Sequence, residues 1–209
     1  MFQNLTGIDI VVVLASLIIG MVFHEFMHGY VALRLGDTTA LESGRLTLNP
    51  LKHINLLTTI LLPLALILLG LPPIFAAQPV PFNPYRLKYD EYGLAMVGIA
   101  GPLTNFVLAG VVAIVLRLFG NGFSSGVIDA AVLFVEVNVA FFVFNLIPFP
   151  PLDGSRVLYA FAPESLQKVM RQIEGLGFLP ILAILFIGVQ FAGPALISLN
   201  QHVLNVLLG

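Results

Sequence analysis

The residues best equipped for chemistry stand early in the chain, in the run His24-Glu25-Phe26-Met27-His28. At 3.6 residues per turn, positions i and i+4 fall on one helix face, so both imidazoles can reach a single ion. Glu25 sits beside them, placed to take a proton from water acidified by that ion. Such a helix carries a metal and a general base, the equipment of metal-assisted hydrolysis. Between Asp9 and Arg34 no other residue is charged, and an ionisable group inside an apolar span costs about 2.5–3.5 kcal/mol or more. That cost favours a functional cluster over a polar packing cluster. Two imidazoles leave a catalytic zinc one protein ligand short. The acids and histidines near other apolar regions are His53, Asp129, Glu136, Asp153 and His202. Asp153 stands out because it follows Asn145-Leu146-Ile147-Pro148-Phe149-Pro150-Pro151-Leu152 and precedes Gly154. Three prolines unwind the end of a span there, so a carboxylate can turn inward.

The elements that must carry these residues are membrane spans. Of the 209 residues, 58% are apolar and only 10% charged, against roughly 25% charged in a soluble domain. So few charges cannot cover a compact chain of this size, and most of its surface must face lipid. A net charge of −2 excludes nucleic-acid binding driven by phosphate neutralisation. The absence of cysteine excludes disulfides, thiolate nucleophiles and thiolate metal ligands. No basic stretch precedes the first apolar run, which is therefore expected to be retained rather than cleaved. Apolar regions run over 8–33, 56–75, 93–119, 127–149 and 178–208. Gly36-Asp37 stops the first, and residues 37–55 read as a loop with a short strand around Arg45–Leu48. Pro72-Pro73 breaks the second, and Ala76–Pro84 is too proline-rich for helix. Residues 163–174 read as an amphipathic helix at the interface. The expectation is one membrane-embedded domain over 1–209, all-α and polytopic, with no soluble domain between spans.

Three motifs in this order, His24–His28, Gly101-Pro102-Leu103-Thr104-Asn105 and Asn145–Gly154, resemble those of the site-2 protease family of intramembrane zinc metalloproteases. They cover residues 20 to about 156, the stretch corresponding to the family's three-helix core. The resemblance implies one Zn2+ per chain held by His24, His28 and Asp153, with Glu25 as general base. It also implies Asn145 near the scissile carbonyl, as a donor to the oxyanion, and Gly101, Pro102 and Asn105 in core packing. The PDZ and CBS appendages of the family are absent from these residues. The implied partners are the lipid bilayer and membrane proteins whose transmembrane segment unwinds locally, since a helical carbonyl is already bonded to its own backbone. The competing class is a non-enzymatic zinc-holding membrane protein, a carrier or a scaffold. The serine and aspartyl intramembrane proteases fail on residues: Phe123-Ser124-Ser125-Gly126 has phenylalanine where the first needs glycine, and no Gly-x-Gly-Asp is present.

Both halves of such a metal site must meet at one depth. If 56–75 crossed the bilayer fully, 127–149 would run antiparallel to 8–33, and Asp153 would emerge roughly 15–20 Å from the histidines. Charge counting agrees. With a full crossing, Lys and Arg divide 4 against 5 between the two faces; with a segment over 56–84 that dips and returns, they divide 8 against 1, Arg117 standing alone. The second partition is the asymmetry of cytoplasmic loops. The expected architecture is thus a core over 8–156, a re-entrant segment over 56–84, and an interfacial helix plus one or two C-terminal helices over 163–209. Loops 34–55, 85–91 and 153–174 are expected in the cytoplasm and the N-terminus opposite. Within 74–84, Gln78, Val80 and Phe82 would offer edge groups to an extended substrate.

Overall fold

The structure, a computed structural model, describes residues 6–55, 59, 61, 77–177, 180 and 189–209. Every regular element among them is helical. In chain order these are α1 (Gly7–Arg34), α2 (Thr39–Glu42), α3 (Asp90–Phe119), α4 (Ser125–Asn145), α5 (Gly154–Phe161), α6 (Glu164–Glu174) and α7 (Val189–Leu208). Among the described residues α1, α3 with its 3-10 extension to Gly122, and α4 are long and apolar enough to cross a bilayer. The protein is therefore an all-helical membrane protein. Most of the expected half-helix over 56–71, the following 72–76, and the start of the last apolar region lie outside the described residues.

Local chemistry explains where the helices begin and end. Thr6 and Asp9 form a capping box, the Thr6 hydroxyl accepting from the Asp9 amide and the Asp9 carboxylate accepting from the Thr6 amide. α1 stops as foreseen: Gly36 adopts φ +106°, a conformation that costs glycine nothing. α4 ends at Asn145, short of the expected 149, because Pro148 cannot continue the ladder and biases its neighbour away from helix. Ser16 and Thr104 inside the spans return their hydroxyls to the carbonyls of Val12 and Ala100 four residues back, which keeps them satisfied without water. The strand expected over 45–48 is not formed. The amides of Arg45 and Leu46 both turn back to the Ala40 carbonyl, at 2.9 and 3.2 Å, so the chain curls there with no partner strand.

Two backbone hydrogen bonds fix the path between α1 and α3. The Lys88 amide donates to the Leu35 carbonyl at 2.8 Å, and the Gln78 amide to the His53 carbonyl at 2.8 Å. Leu35 immediately follows α1 and Lys88 lies just before α3, so the chain leaves and re-enters the bundle at one end. α3 then runs antiparallel to α1, α4 returns parallel to α1, and the three helices pack against one another. Away from the site, α4 and α3 enclose Ala109, Ala113, Val135, Val139 and Val143, and Leu196, Val203 and Leu204 of α7 pack on that cluster. In a lipid environment such small-residue contacts let backbones approach closely, which is the main source of helix association there.

Candidate metal centre

α1 delivers His24 and His28 one helical turn apart, both buried, with ring centroids 4.6 Å from each other. Asp153 reaches them from the non-helical turn between α4 and α5. Its Oδ2 lies 2.9 Å from His24 Nε2 and 3.3 Å from His28 Nε2. The three residues form a group able to hold one metal ion, with ligand atoms all within 4.8 Å of one another. A tetrahedral zinc with bonds near 2.05 Å sets its ligand atoms about 3.3 Å apart, close to both spacings. Among the described residues no other such group is found, so His53, Asp129, Glu136 and His202 stay outside it. His53 is fully buried beside the Thr47 carbonyl, 2.8 Å from Nε2, rather than at the surface, as a histidine in that loop would ordinarily be read.

Whether these residues suit a cation follows from their protons. His28 Nδ1 lies 2.7 Å from the Val97 carbonyl, which can only accept, so the ring proton resides there and Nε2 presents a lone pair. The Asp153 carboxylate likewise has only lone pairs to offer. With the ring neutral, this bare imidazole nitrogen and the carboxylate oxygen, 3.3 Å apart, repel each other unless a proton or a metal ion stands between them, so the pair is a seat for a cation. The donor set fits a divalent metal.

The GPLTN segment of α3 does more than pack. A Cβ built at Gly101 would fall 2.4 Å from His28 Nε2 and 2.6 Å from His24 Nε2, so only glycine lets the two rings lie against this helix. Asn105 is fully buried and its Oδ1 lies 2.6 Å from His24 Nδ1. Pro102 is buried within α3, a core position as expected. The Asn105 and Val97 contacts are absent from the sequence reading. The available signal was an amide at an interhelical position, which in lipid must find a partner.

Glu25 faces a cavity of about 590 Å³ whose wall is largely apolar, with Leu17 and Met21 from α1 and Phe141 and Phe144 from α4. Asn145 lines the same cavity and donates one amide hydrogen to the Phe141 carbonyl at 3.0 Å, which leaves its second hydrogen available. The extended stretch 77–83 closes one side. Three of its amides are engaged by the protein: Gln78 donates to His53, Val80 to Glu25 Oε2 at 2.8 Å, and Asn83 to Asp37 Oδ2 at 2.6 Å. The Gln78 carbonyl accepts from Arg45 at 2.6 Å. The Gln78 and Val80 amides, expected to be open to a substrate, are thus internal anchors in this structure. Phe82 carries the Arg156 guanidinium 4.6 Å over its ring.

Known proteins of similar sequence carry the name of zinc metalloproteases. The chain is 35% identical over 176 residues to "Putative zinc metalloprotease YwhC" of Bacillus subtilis, an alignment covering 81% of this chain and 77% of that protein. It is 31% identical to "Putative zinc metalloprotease Rip2" of Mycolicibacterium smegmatis, over 84% of this chain and 66% of the relative. For Rip2 of Mycobacterium tuberculosis the identity is 28%, over 89% and 68%. No family model matches the chain, and no solved structure gives a significant match. With paired histidines, a facing aspartate and an adjacent glutamate on a membrane-compatible helix, and with these relatives, the chain belongs to the site-2 protease-like family of zinc metalloproteases.

Proposed function

We propose that this protein is an intramembrane zinc endopeptidase, with His24, His28 and Asp153 as ligands and Glu25 as general base. The observation that carries the reading is the convergence of Asp153 Oδ2 on both imidazoles, 129 residues from His24 in sequence and 2.9 Å from it in space. Zinc held there would supply a Lewis acid for a peptide carbonyl and acidify a neighbouring water. Glu25, held by the Val80 amide on the cavity side of α1, takes the proton from that water and returns it to the leaving amine. Asn145 lines the cavity, and its second amide hydrogen is the donor assigned to the developing oxyanion, a contact whose removal elsewhere costs about 2.7–4 kcal/mol. The apolar wall excludes bulk water and suits a transmembrane segment. A segment with Gly, Pro or Asn near the cut, already partly unwound, is the preferred substrate.

The meeting of Leu35 with Lys88 and of His53 with Gln78 supports a chain that returns after Gln78 to the side it left at His53. With it, the loops 34–55, 85–91 and 153–174 lie in the cytoplasm. Labelling of a cysteine placed at Lys88 from the opposite side would overturn this topology.

The decisive experiment compares wild type, Glu25→Gln and Asp153→Ala for zinc content and for cleavage of a reporter transmembrane segment in proteoliposomes. A protease keeps its zinc and loses cleavage in Glu25→Gln, and loses both in Asp153→Ala. A zinc carrier or scaffold would show no cleavage in the wild type, and that result would sink the proposal.

A further inference from the structure

We propose that Asn105 and Asn138 form a directional relay that fixes the proton of His24 on Nδ1 and so keeps Nε2 free for the metal. The inference rests on the zinc-site reading above and deepens it. The relay begins at the Phe134 carbonyl on α4, which accepts from Asn138 Nδ2 at 2.9 Å. A carbonyl can only accept, so Asn138 must turn its amino group there and its Oδ1 the other way. That oxygen needs a donor, and Asn105 Nδ2 supplies one at 3.0 Å. The same amino group donates to the Gly20 carbonyl at 3.1 Å. Both hydrogens of Asn105 are thus committed to acceptors, and its Oδ1 is left facing His24 Nδ1 at 2.6 Å. An oxygen with no proton accepts only, so the imidazole carries its proton on Nδ1.

No other arrangement of these groups satisfies them. Turning Asn105 over would set its oxygen against the Gly20 carbonyl and Asn138 Oδ1, and its amino group against the ring nitrogen. Turning Asn138 over would oppose two carbonyl oxygens at Phe134. Asn105 and Asn138 are both fully buried, where an unmatched polar pair cannot turn to water for relief. Gly20 is part of the device. A Cβ there would sit 2.8 Å from Asn138 Oδ1 and 3.1 Å from Asn105 Nδ2, so a larger residue would push the amides away from the carbonyl.

The relay matters because of what faces the other ring nitrogen. Without the Asn105 acceptor, the His24 proton is better placed on Nε2, where Asp153 Oδ2 at 2.9 Å accepts it. That tautomer pairs two of the three ligands with each other and removes the lone pair on which the ion depends. Asn105 and Asn138 are positioning residues, acting through His24 without touching substrate.

The test uses the full-length protein in detergent, with zinc affinity read by chelator competition and the His24 tautomer read from ring 15N shifts of the metal-free protein. Asn105→Ala is expected to lose about 10- to 100-fold in zinc affinity, the range for such outer partners, and to shift the His24 proton to Nε2. Asn105→Asp keeps an acceptor opposite Nδ1 but sets its second oxygen against the Gly20 carbonyl and Asn138 Oδ1, so it is expected to hold the His24 proton on Nδ1 while recovering only part of the affinity. Asn138→Leu, one step further out, is expected to give a mixture of tautomers and a smaller loss, and it carries the test should Asn105→Ala not accumulate. Wild-type affinity with the proton retained on Nδ1 in Asn105→Ala, or in Asn138→Leu where that variant stands in, would overturn the relay. A wild-type protein that holds no zinc would overturn the function proposed above, while the tautomer measurement would still decide the relay.

Discussion

Replacing Gly101 by alanine adds one methyl group at the back of the metal site, and its consequence can be worked from distances. The new Cβ would lie 2.4 Å from His28 Nε2, 2.6 Å from His24 Nε2 and 2.7 Å from His24 Cδ2. Favourable contact between such atoms lies near 3.5 Å, so each ring must retreat by about 1 Å. Neither is free to do so, because Nδ1 of His28 is tied to Val97 and Nδ1 of His24 to Asn105. A metal site tolerates about 0.2 Å in its bond lengths, several times less than the displacement required. Overpacking of this kind costs about 1–3 kcal/mol, which corresponds to roughly 5- to 150-fold in zinc affinity. Chelator competition on purified protein reads that loss directly. Gly110→Ala on the same helix is the control, since nothing lies within 4 Å of its Cβ. There alanine is expected to raise helix stability by about 0.5–1 kcal/mol and leave the zinc untouched. If Gly101→Ala binds zinc as tightly as wild type and cleaves at the same rate, the rings are not held against α3 as described.

Val80→Pro removes the amide that holds Glu25, and a hydrogen bond to a charged group is worth about 1.5–3 kcal/mol; cleavage is expected to fall roughly 10- to 150-fold below Val80→Ala, which keeps the amide, and equal rates in the two variants would refute that role. Burial alone would raise the Asp37 carboxyl, but hydrogen bonds from the Thr39 hydroxyl and from the Asn83 and Thr39 amides, with the charge of Arg86, outweigh it and lower its pKa from the ordinary 3.8. A lowered folded pKa contributes stability present above the unfolded value and lost as pH falls through the folded one, so thermal stability in detergent is expected to drop more steeply below about pH 4 in wild type than in Asp37→Asn, and parallel profiles would contradict it.

The three residues of the candidate metal centre were legible because each rests on a local rule. Helical periodicity alone brings His24 and His28 to one face, and the prolines after Asn145 alone release Asp153 from a helix. The requirement that both meet at one depth then led to a chain that returns to the end it left, the path the Leu35–Lys88 hydrogen bond draws. What sequence could not give was register between helices. Asn105 meets His24 only because α1 and α3 pack with Gly20 and Gly101 at the contact, and no period or motif in one helix states where its neighbour will lie. The same holds for Val80 and Glu25, 55 residues apart and joined by one amide. The burial of His53 was equally out of reach, because a loop histidine is ordinarily exposed, whereas here the turn at 50–52 and the returning Gln78 cover it. α5 was not foreseen at all, because eight residues directly after an irregular proline turn carry too little periodic signal.

The two halves of the site are built on different physical terms. The imidazoles ride on a 28-residue helix and are pinned from behind by groups of α3 and α4, so their positions are set before any ion arrives. Asp153 stands on a turn, yet it is no less fixed. A Cβ at the following Gly154 would fall 2.3 Å from the Leu146 carbonyl, so the turn folds back tightly on the end of α4 and cannot swing without leaving that contact. An ion therefore meets three ligand groups already gathered within 4.8 Å of one another and need not order a loop in order to bind. That economy is required by the setting. In lipid, a carboxylate and two imidazoles waiting in several conformations would each need alternative polar partners at every depth they visited. The helix packing offers one set of partners: small residues and amides behind the imidazoles, and Arg156, its Nε 3.9 Å from Asp153 Oδ1, beside the carboxylate.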